Sequence, residues 1–277
     1  MSAVAIVSLP VALAVTWLLL HTPLARALVD VPQGDRWHVR PTPKLGGIGL
    51  FAGLLAGVGA AIAVGAVPAS RELLGILAGA AVLFVAGLVD DLWSLNPIAK
   101  LAAQGGAAAI VLVAGLKVEI VSNDAVAIIL AVVWLVGMTN AFNLLDNMDG
   151  LAASLAGIAA LCFAVDAVTI HKSDTALVLA LAVACACAGF LPFNLRPGKP
   201  AATFMGDSGS QPLGFVLAAL GLASSWKVAG TTVATLLLPL LILAVPILDT
   251  TLVTVVRLLE GRPIYQGGRD HTSHRLV

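Results

Sequence analysis

Nine stretches of this 277-residue chain are long and oily enough to cross a bilayer. A helix needs about 18–20 consecutive apolar residues to traverse the hydrocarbon core. The stretches run roughly over 3–20, 45–67, 73–89, 98–115, 125–139, 151–170, 175–191, 212–226 and 231–258, the fifth and eighth extending into flanking sequence. Hydrocarbon offers the backbone no hydrogen-bond partner, so each span has to be a helix. The last is too long for one straight crossing, and Pro246 inside it is expected to break or kink it. The expected fold class is therefore all-α. It is a polytopic integral membrane helix bundle of about nine spans, the ninth broken near Pro246, forming one domain over 1–277.

Composition and charge narrow the function classes. The chain is 60% apolar and 11% charged, more oil than a soluble domain of this size can hide. A formal net charge of +0 gives no basic field for nucleic acid. Cys162, Cys185 and Cys187 lie in apolar runs and form neither a disulfide framework nor a zinc spacing. No basic segment precedes residues 3–20, so they read as a first span and not as a cleaved leader.

Lysine and arginine set the expected orientation. Eleven of the fifteen fall on one side: Arg26, Arg36, Arg40, Lys44, Lys100, Arg196, Lys199, Arg257, Arg262, Arg269 and Arg275. The other side holds four, Arg71, Lys117, Lys172 and Lys227. The N-terminus is then outside and the C-terminus cytoplasmic. Five polar loops gather on that cytoplasmic side, at 29–47, 89–100, 140–150, 192–210 and 260–277, while the outer loops are short and plain. One composite site at the cytoplasmic interface is the expectation.

Each loop carries chemistry beside a plainer reading. Asp90 and Asp91 end the third span; adjacent carboxylates repel unless a cation or shared proton intervenes, or they are simply solvated acids at a helix end. Asn140, Asn143, Asp146 and Asp149 follow at intervals of three. On an α-helix four such residues drift about 180° and spread over about 13 Å, so one ion cannot be held by all of them. The segment is then partly 3₁₀, or its members divide between tasks. An N-cap would explain one of them and leave the others without a role. In TFMGDSGS (203–210), small residues flank Asp207, which lets backbone approach a phosphate and a carboxylate meet Mg²⁺. Phe204 can stack on a base. The GK[ST] ending of a phosphate loop is missing. His271, His274 and Arg275 suit phosphate oxygens, or form an ordinary basic tail. Lys44 and Lys100 contact phosphate or snorkel to the interface. Asp249, inside the ninth span, reads as a structural bond to a neighbouring helix.

Taken in order, DRWHVRPTPKLGGI, VDDLWSL with Lys100, NAFNLLDNMDGLA, FMGDSGS, PILDT and HTSHRL span residues 30 to 277. They resemble the polyprenyl-phosphate N-acetylhexosamine-1-phosphate transferases, a family that includes the phospho-N-acetylmuramoyl-pentapeptide transferases. The resemblance implies transfer of a sugar 1-phosphate from a UDP-sugar to polyprenyl phosphate, releasing UMP, with Mg²⁺ or alternatively Mn²⁺. It makes Asp207 a metal ligand, with Asp149 beside it, and sets Phe204 against uracil. Asp90 and Asp91 are linked to activating the lipid phosphate. Asn140, Asn143, Asp146 and Asp149 serve nucleotide and metal, while His271 and His274 serve the phosphates. With Lys100, these acids and histidines are the expected catalytic set; Lys44 and Arg275 join the substrate-binding set. The tail HTSHRL is closer to the branch using UDP-N-acetylglucosamine than to the muramoyl-pentapeptide branch. Family members continue with further helix, so the chain is expected to be either a fragment lacking C-terminal helices or an unusually short member. The setting implied is a bacterial or archaeal-type cell membrane, with a second copy of the chain as a further candidate partner. A transporter would need acids along the spans, where Asp166 and Asp249 are the chief examples; a lipid-binding scaffold would leave the aspartates idle.

Overall fold

Apolar runs that cannot hydrogen-bond to lipid fold as helices, and the polar punctuation between them fixes where each helix starts. The computed structural model describes residues 2–30, 40–119, 121–223 and 233–262. A 3₁₀ turn (Ser2–Val7) leads into α1 (Ser8–Leu20) and a short α2 (Leu24–Ala27). Strand β1 (Val29–Asp30) pairs antiparallel with β2 (Thr42–Pro43). Then come α3 (Gly46–Ala63), α4 (Arg71–Trp93), α5 (Pro97–Ala114), α6 (Asp124–Leu145), α7 (Leu151–Thr169), α8 (Asp174–Asn194), α9 (Asp207–Ala223), α10 (Val233–Ile242) and α11 (Ala244–Leu259). Side-chain caps mark four starts: Ser70, Asn96, Asn123 and Ser173 each accept a backbone N–H from the first turn of α4, α5, α6 and α8.

Among the described residues, seven segments are long and apolar enough to cross a membrane. They are Ser2–Leu20, α3, α4, α5, α6, α7 and α8. The protein is an all-α, multi-pass membrane protein. The shorter α9 has a different place. Every residue from Ser208 to Leu222 is buried, and α3, α4, α6, α7 and α8 all pack against it. It is the axis of the bundle, and its N-terminal end carries Asp207. The ninth apolar stretch is two helices, and its break falls at Leu243, ahead of Pro246. Pro246 sits in the first turn of α11, where a missing N–H costs nothing. Asp249 is buried with Pro246, Val253 and Arg257 on α11, which packs chiefly on α6.

Helices α1 and α3 approach each other closely. Gly49, Gly53 and Gly57 repeat every fourth residue on one face of α3. A Cβ on Gly49 would lie 2.0 Å from Thr16 Oγ1, on Gly53 2.7 Å from Ala12 Cβ, and on Gly57 2.0 Å from Ser8 Oγ. Apolar helices gain nothing by hiding oil from oil in lipid, so small residues that let backbones touch supply the attraction. Ser8 Oγ and Thr16 Oγ1 have no conventional partner; they face the glycine Cα–H groups, which serve as weak donors. Replacing Gly53 by Leu wedges the pair apart, at about 1–3 kcal/mol or more. The expected result is a lower melting temperature in detergent. Gly59→Ala, into open space, serves as the unchanged control. Equal melting of both variants would exclude close packing as the source of this contact.

Candidate functional site

The first N–H groups of a helix have no partner within it. At the start of α9 those groups are buried, and α4 answers them. Asp91 Oδ1 accepts from Asp207 N and Oδ2 from Ser208 N, both at 3.0 Å, and its side chain is 1% exposed. Neighbours on a helix point about 100° apart, so Asp90 faces elsewhere. Its Oδ1 accepts from Leu95 N at 2.7 Å and its Oδ2 lies 2.7 Å from Lys100 Nζ. The two adjacent acids therefore divide: Asp91 ties α4 to α9, and Asp90 ties α4 to α5.

Lys100, in the first turn of α5, also reaches Asp207 Oδ2 at 2.9 Å. From α6, Asn143 Nδ2 donates to Asp207 Oδ1 at 2.9 Å and to Ser210 Oγ at 3.0 Å. Gln211 Nε2 donates to Asp207 Oδ2 at 3.1 Å. Lys44 stands 3.8 Å from Asp91 and 3.7 Å from Asp30. Loops far apart in sequence thus meet around one carboxylate. Glycines make the approach possible. A Cβ on Gly87 would lie 2.3 Å from Asp207 O, and one on Gly47 2.5 Å from Gly209 N. Gly206 turns with φ +71, against the Asp91 carboxylate.

The backbone before α9 is held as firmly. Phe204 N donates to Pro43 O at 2.8 Å, Gly46 N to Phe204 O at 3.0 Å and Gly47 N to Met205 O at 2.9 Å. Thr203 Oγ1 donates to Pro43 O and accepts from Leu45 N. This pairing also satisfies the N-terminal donors of α3. Asn194, at the end of α8, donates to Thr203 O and accepts from Gly150 N, which locks the turn before α7 onto the same strip. Phe204 is half-buried at its edge.

The run of amides and acids at 140–149 divides as the drift of the α-helix demands. Helix α6 continues to Leu145, so Asn140 and Asn143 are helical. Asp146 is its C-cap, and Asp149 lies in the turn that follows. Asn140 bonds Gln104 and Val136 O. Asp149 is exposed and accepts from Ala201 N at 3.2 Å. Asp146 accepts from Gly206 N; withdrawal from water, then the nearby carboxylates of Asp207, Asp91 and Asp149, push its carboxyl up to about 7. His271, His274 and Arg275 lie outside the described residues.

Among the described residues, no three of His, Cys, Asp and Glu stand close enough to hold an ion unaided. Mg²⁺ characteristically takes one or two carboxylates and completes its shell with water and substrate phosphate. Asp207, with Asp146 near it, offers that kind of hard, oxygen-only donor set. The carboxylates of Asp90, Asp91, Asp146 and Asp207 outnumber the ammonium groups of Lys44 and Lys100, so a divalent cation fits the charge. Two residues behind Asp207 carried no motif: Gln211, which follows the TFMGDSGS stretch along α9, and Gln104, four residues beyond Lys100. The available signal was spacing: a residue four along a helix shares a face, and an amide inside an oily span needs a reason to be there.

Residues 73–225, more than half of the chain, match the family model described as glycosyl transferase family 4. The chain is 35% identical to a probable undecaprenyl-phosphate N-acetylglucosaminyl 1-phosphate transferase of Bacillus subtilis, over 98% of this chain and 76% of the relative. It is 34% identical to the decaprenyl-phosphate N-acetylglucosaminephosphotransferase of Mycobacterium tuberculosis, over 90% of this chain and 69% of the relative. A shorter match, 46% identical over 34% of this chain and 28% of the relative, is to a phospho-N-acetylmuramoyl-pentapeptide-transferase of Heliobacterium modesticaldum.

Asp146 gives the cation-free protein a pH dependence of known sign. Its folded pKa of about 7 exceeds the ordinary 3.8, so between those values the folded state holds the proton more tightly. Its contribution is fully present below about 4 and is lost as pH rises through about 7. Thermal melts of cation-free protein across that range should show stability falling and then levelling; Asp146→Asn should reduce the fall and end it near pH 6, where burial sets the Asp91 carboxyl. A variant with the wild-type slope would exclude Asp146 as its source.

Proposed function

The chain belongs to glycosyl transferase family 4, and from that premise we propose that it is an N-acetylhexosamine-1-phosphate transferase. It transfers a sugar 1-phosphate, most simply N-acetylglucosamine 1-phosphate, from a UDP-sugar to polyprenyl phosphate. The observation that carries this reading is the Asp90–Lys100–Asp207–Asn143 cluster, built by four helices at one end of the bundle. To the seven clear spans we propose adding α9 and the α10–α11 pair, broken at Leu243, as two further crossings, nine in all. The lysine and arginine bias supports an outside N-terminus and a cytoplasmic site. Such a site reaches both a water-soluble nucleotide sugar and a lipid phosphate at the interface.

In the proposed reaction an oxygen of the lipid phosphate bonds to the sugar-bearing phosphorus. The bond from that phosphorus to the bridging oxygen breaks, and UMP leaves with the electron pair. Asp207 and one of Asp146 or Asp149 would hold Mg²⁺ or Mn²⁺, which when bound draws charge from the diphosphate. Lys100 leans from Asp90 and Asp207 toward the phosphate oxygens and neutralises them. Lys44, His271, His274 and Arg275 supply further positive charge. A phosphate monoester has its second pKa near 6 and arrives mostly ionised, so Asp90 orients the lipid phosphate more than it deprotonates it. Asn143 lines the nucleotide side with Asn140 one turn beneath it, and Phe204 offers a face to uracil.

UMP release should need both polyprenyl phosphate and a divalent cation. A panel containing UDP-N-acetylglucosamine and UDP-N-acetylmuramoyl-pentapeptide identifies the sugar; turnover of the second in preference to the first would move the chain to the muramoyl branch. Asp207→Asn should melt as wild type does yet lose about a hundredfold or more in rate, since a metal's charge stabilisation is worth several kcal/mol and each 1.36 kcal/mol is tenfold. Near-normal turnover in that variant would refute the assignment.

A further inference from the structure

We infer that Gln104 is a positioning residue, which acts through Gln211 to hold the Asp207 carboxylate in its metal-binding orientation. The inference rests on the transferase reading above and adds residues that the motifs did not name. The relay begins at a group whose polarity cannot change. Val136 O is a backbone carbonyl and only accepts, so the Asn140 Nδ2 group at 2.8 Å has to be the donor. The same Nδ2 donates to Gln104 Oε1 at 2.7 Å, and Asn140 Oδ1 accepts from Gln104 Nε2 at 3.2 Å. That reciprocal pair orients Gln104. Its Nε2 group then meets Gln211 Oε1 at 3.4 Å. With its oxygen occupied, Gln211 turns Nε2 toward Asp207 Oδ2 at 3.1 Å. Each amide in turn fixes the next, and the last donates to the carboxylate.

Placement makes the relay matter. Gln104, Asn140 and Gln211 lie one helical turn below Lys100, Asn143 and Asp207, on the same three helices, α5, α6 and α9. Gln104 and Gln211 are 3% and 2% exposed. Water therefore cannot replace a lost partner, and a free Gln211 amide would be able to turn its oxygen toward Asp207. Lys100 also donates to Asp207 Oδ2, but the proposed chemistry draws that ammonium toward phosphate. Gln211 is then the donor that stays on Oδ2, as Asn143 stays on Oδ1.

The test is a double-mutant cycle on the full chain in detergent, read by Mn²⁺ binding in electron paramagnetic resonance. The relay predicts that Gln211→Met weakens Mn²⁺ binding about tenfold or more, the usual effect of removing an outer partner of a metal ligand. Gln104→Met should weaken it severalfold alone and add nothing in the Gln211→Met background, because the two act in series. For Gln104→Met, the Mg²⁺ concentration giving half-maximal rate should rise in step, while KM for the UDP-sugar stays within about twofold of wild type. A purely structural role would lower the melting temperature of Gln104→Met and leave its Mn²⁺ affinity unchanged; wild-type affinity in that variant, or losses that add in the double variant, overturns the inference. If Gln104→Met does not yield folded protein, Gln104→Leu takes its place in the cycle. If wild-type protein binds no Mn²⁺ and releases no UMP, it is the transferase reading that fails. If it does both and the cycle is additive, the relay alone fails.

Discussion

Helix α9 is buried along nearly its whole length, including the end where its N–H groups have no partner of their own. A buried, unmet donor costs about 1–3 kcal/mol, and two lie side by side here. Asp91 meets both, with one carboxylate oxygen each. A carboxylate is suited to this place, because the partial positive charge at a helix start favours an anion. Once Asp91 is fixed on α9, its neighbour Asp90 is turned toward α5, and Lys100 follows. The position of Asp207, and of everything that touches it, descends from that single cap.

The same cap creates the problem the site is built around. Asp91 brings one negative charge to the base of a turn that already holds Asp207, with Asp146 close by. Charges removed from water have to be matched, and two lysines do not match four acids. Lys100 is shared between Asp90 and Asp207, and Lys44 is stretched between Asp30 and Asp91. Asp146 meets the shortfall by holding its proton up to about pH 7. A cluster of this kind is poised to take up positive charge. That is also what a diphosphate requires of its site, since its own negative charge has to be screened before another phosphate can approach it.

Seven of the nine spans, and the meeting of the polar loops at 29–47, 89–100, 140–150 and 192–210, were legible in the sequence because hydrocarbon leaves so few alternatives. Where α9 would sit was not. Its apolar run reads like the other spans, and only packing shows that it is surrounded. The division of labour between Asp90 and Asp91 was equally hidden, because two identical residues carry no mark of which one caps a neighbouring helix. The drift argument did foresee that Asn140, Asn143, Asp146 and Asp149 could not converge on one point, and α6 ends at Leu145 with the later two beyond it. Gln104 and Gln211 escaped notice because an amide in a span has no motif of its own; its meaning comes from the helix opposite.

The depth at which each polar group lies follows a gradient of cost. At the rim stand ionised side chains that solvent and substrate can reach. One turn lower the polar residues are neutral amides, paired with one another. Another turn down, around Ala107, Ala108, Val111, Leu135 and Phe215, the interior is apolar and buried. A charge becomes dearer with each turn into the bundle, whereas an amide whose donors and acceptor are all engaged costs little. Amides at that level convey orientation upward without carrying charge downward. A carboxylate there would have to be protonated or paired, and either state would couple the geometry of Asp207 to pH. The choice of glutamine over glutamate at 104 and 211 keeps the support of the site independent of the titrations that take place above it.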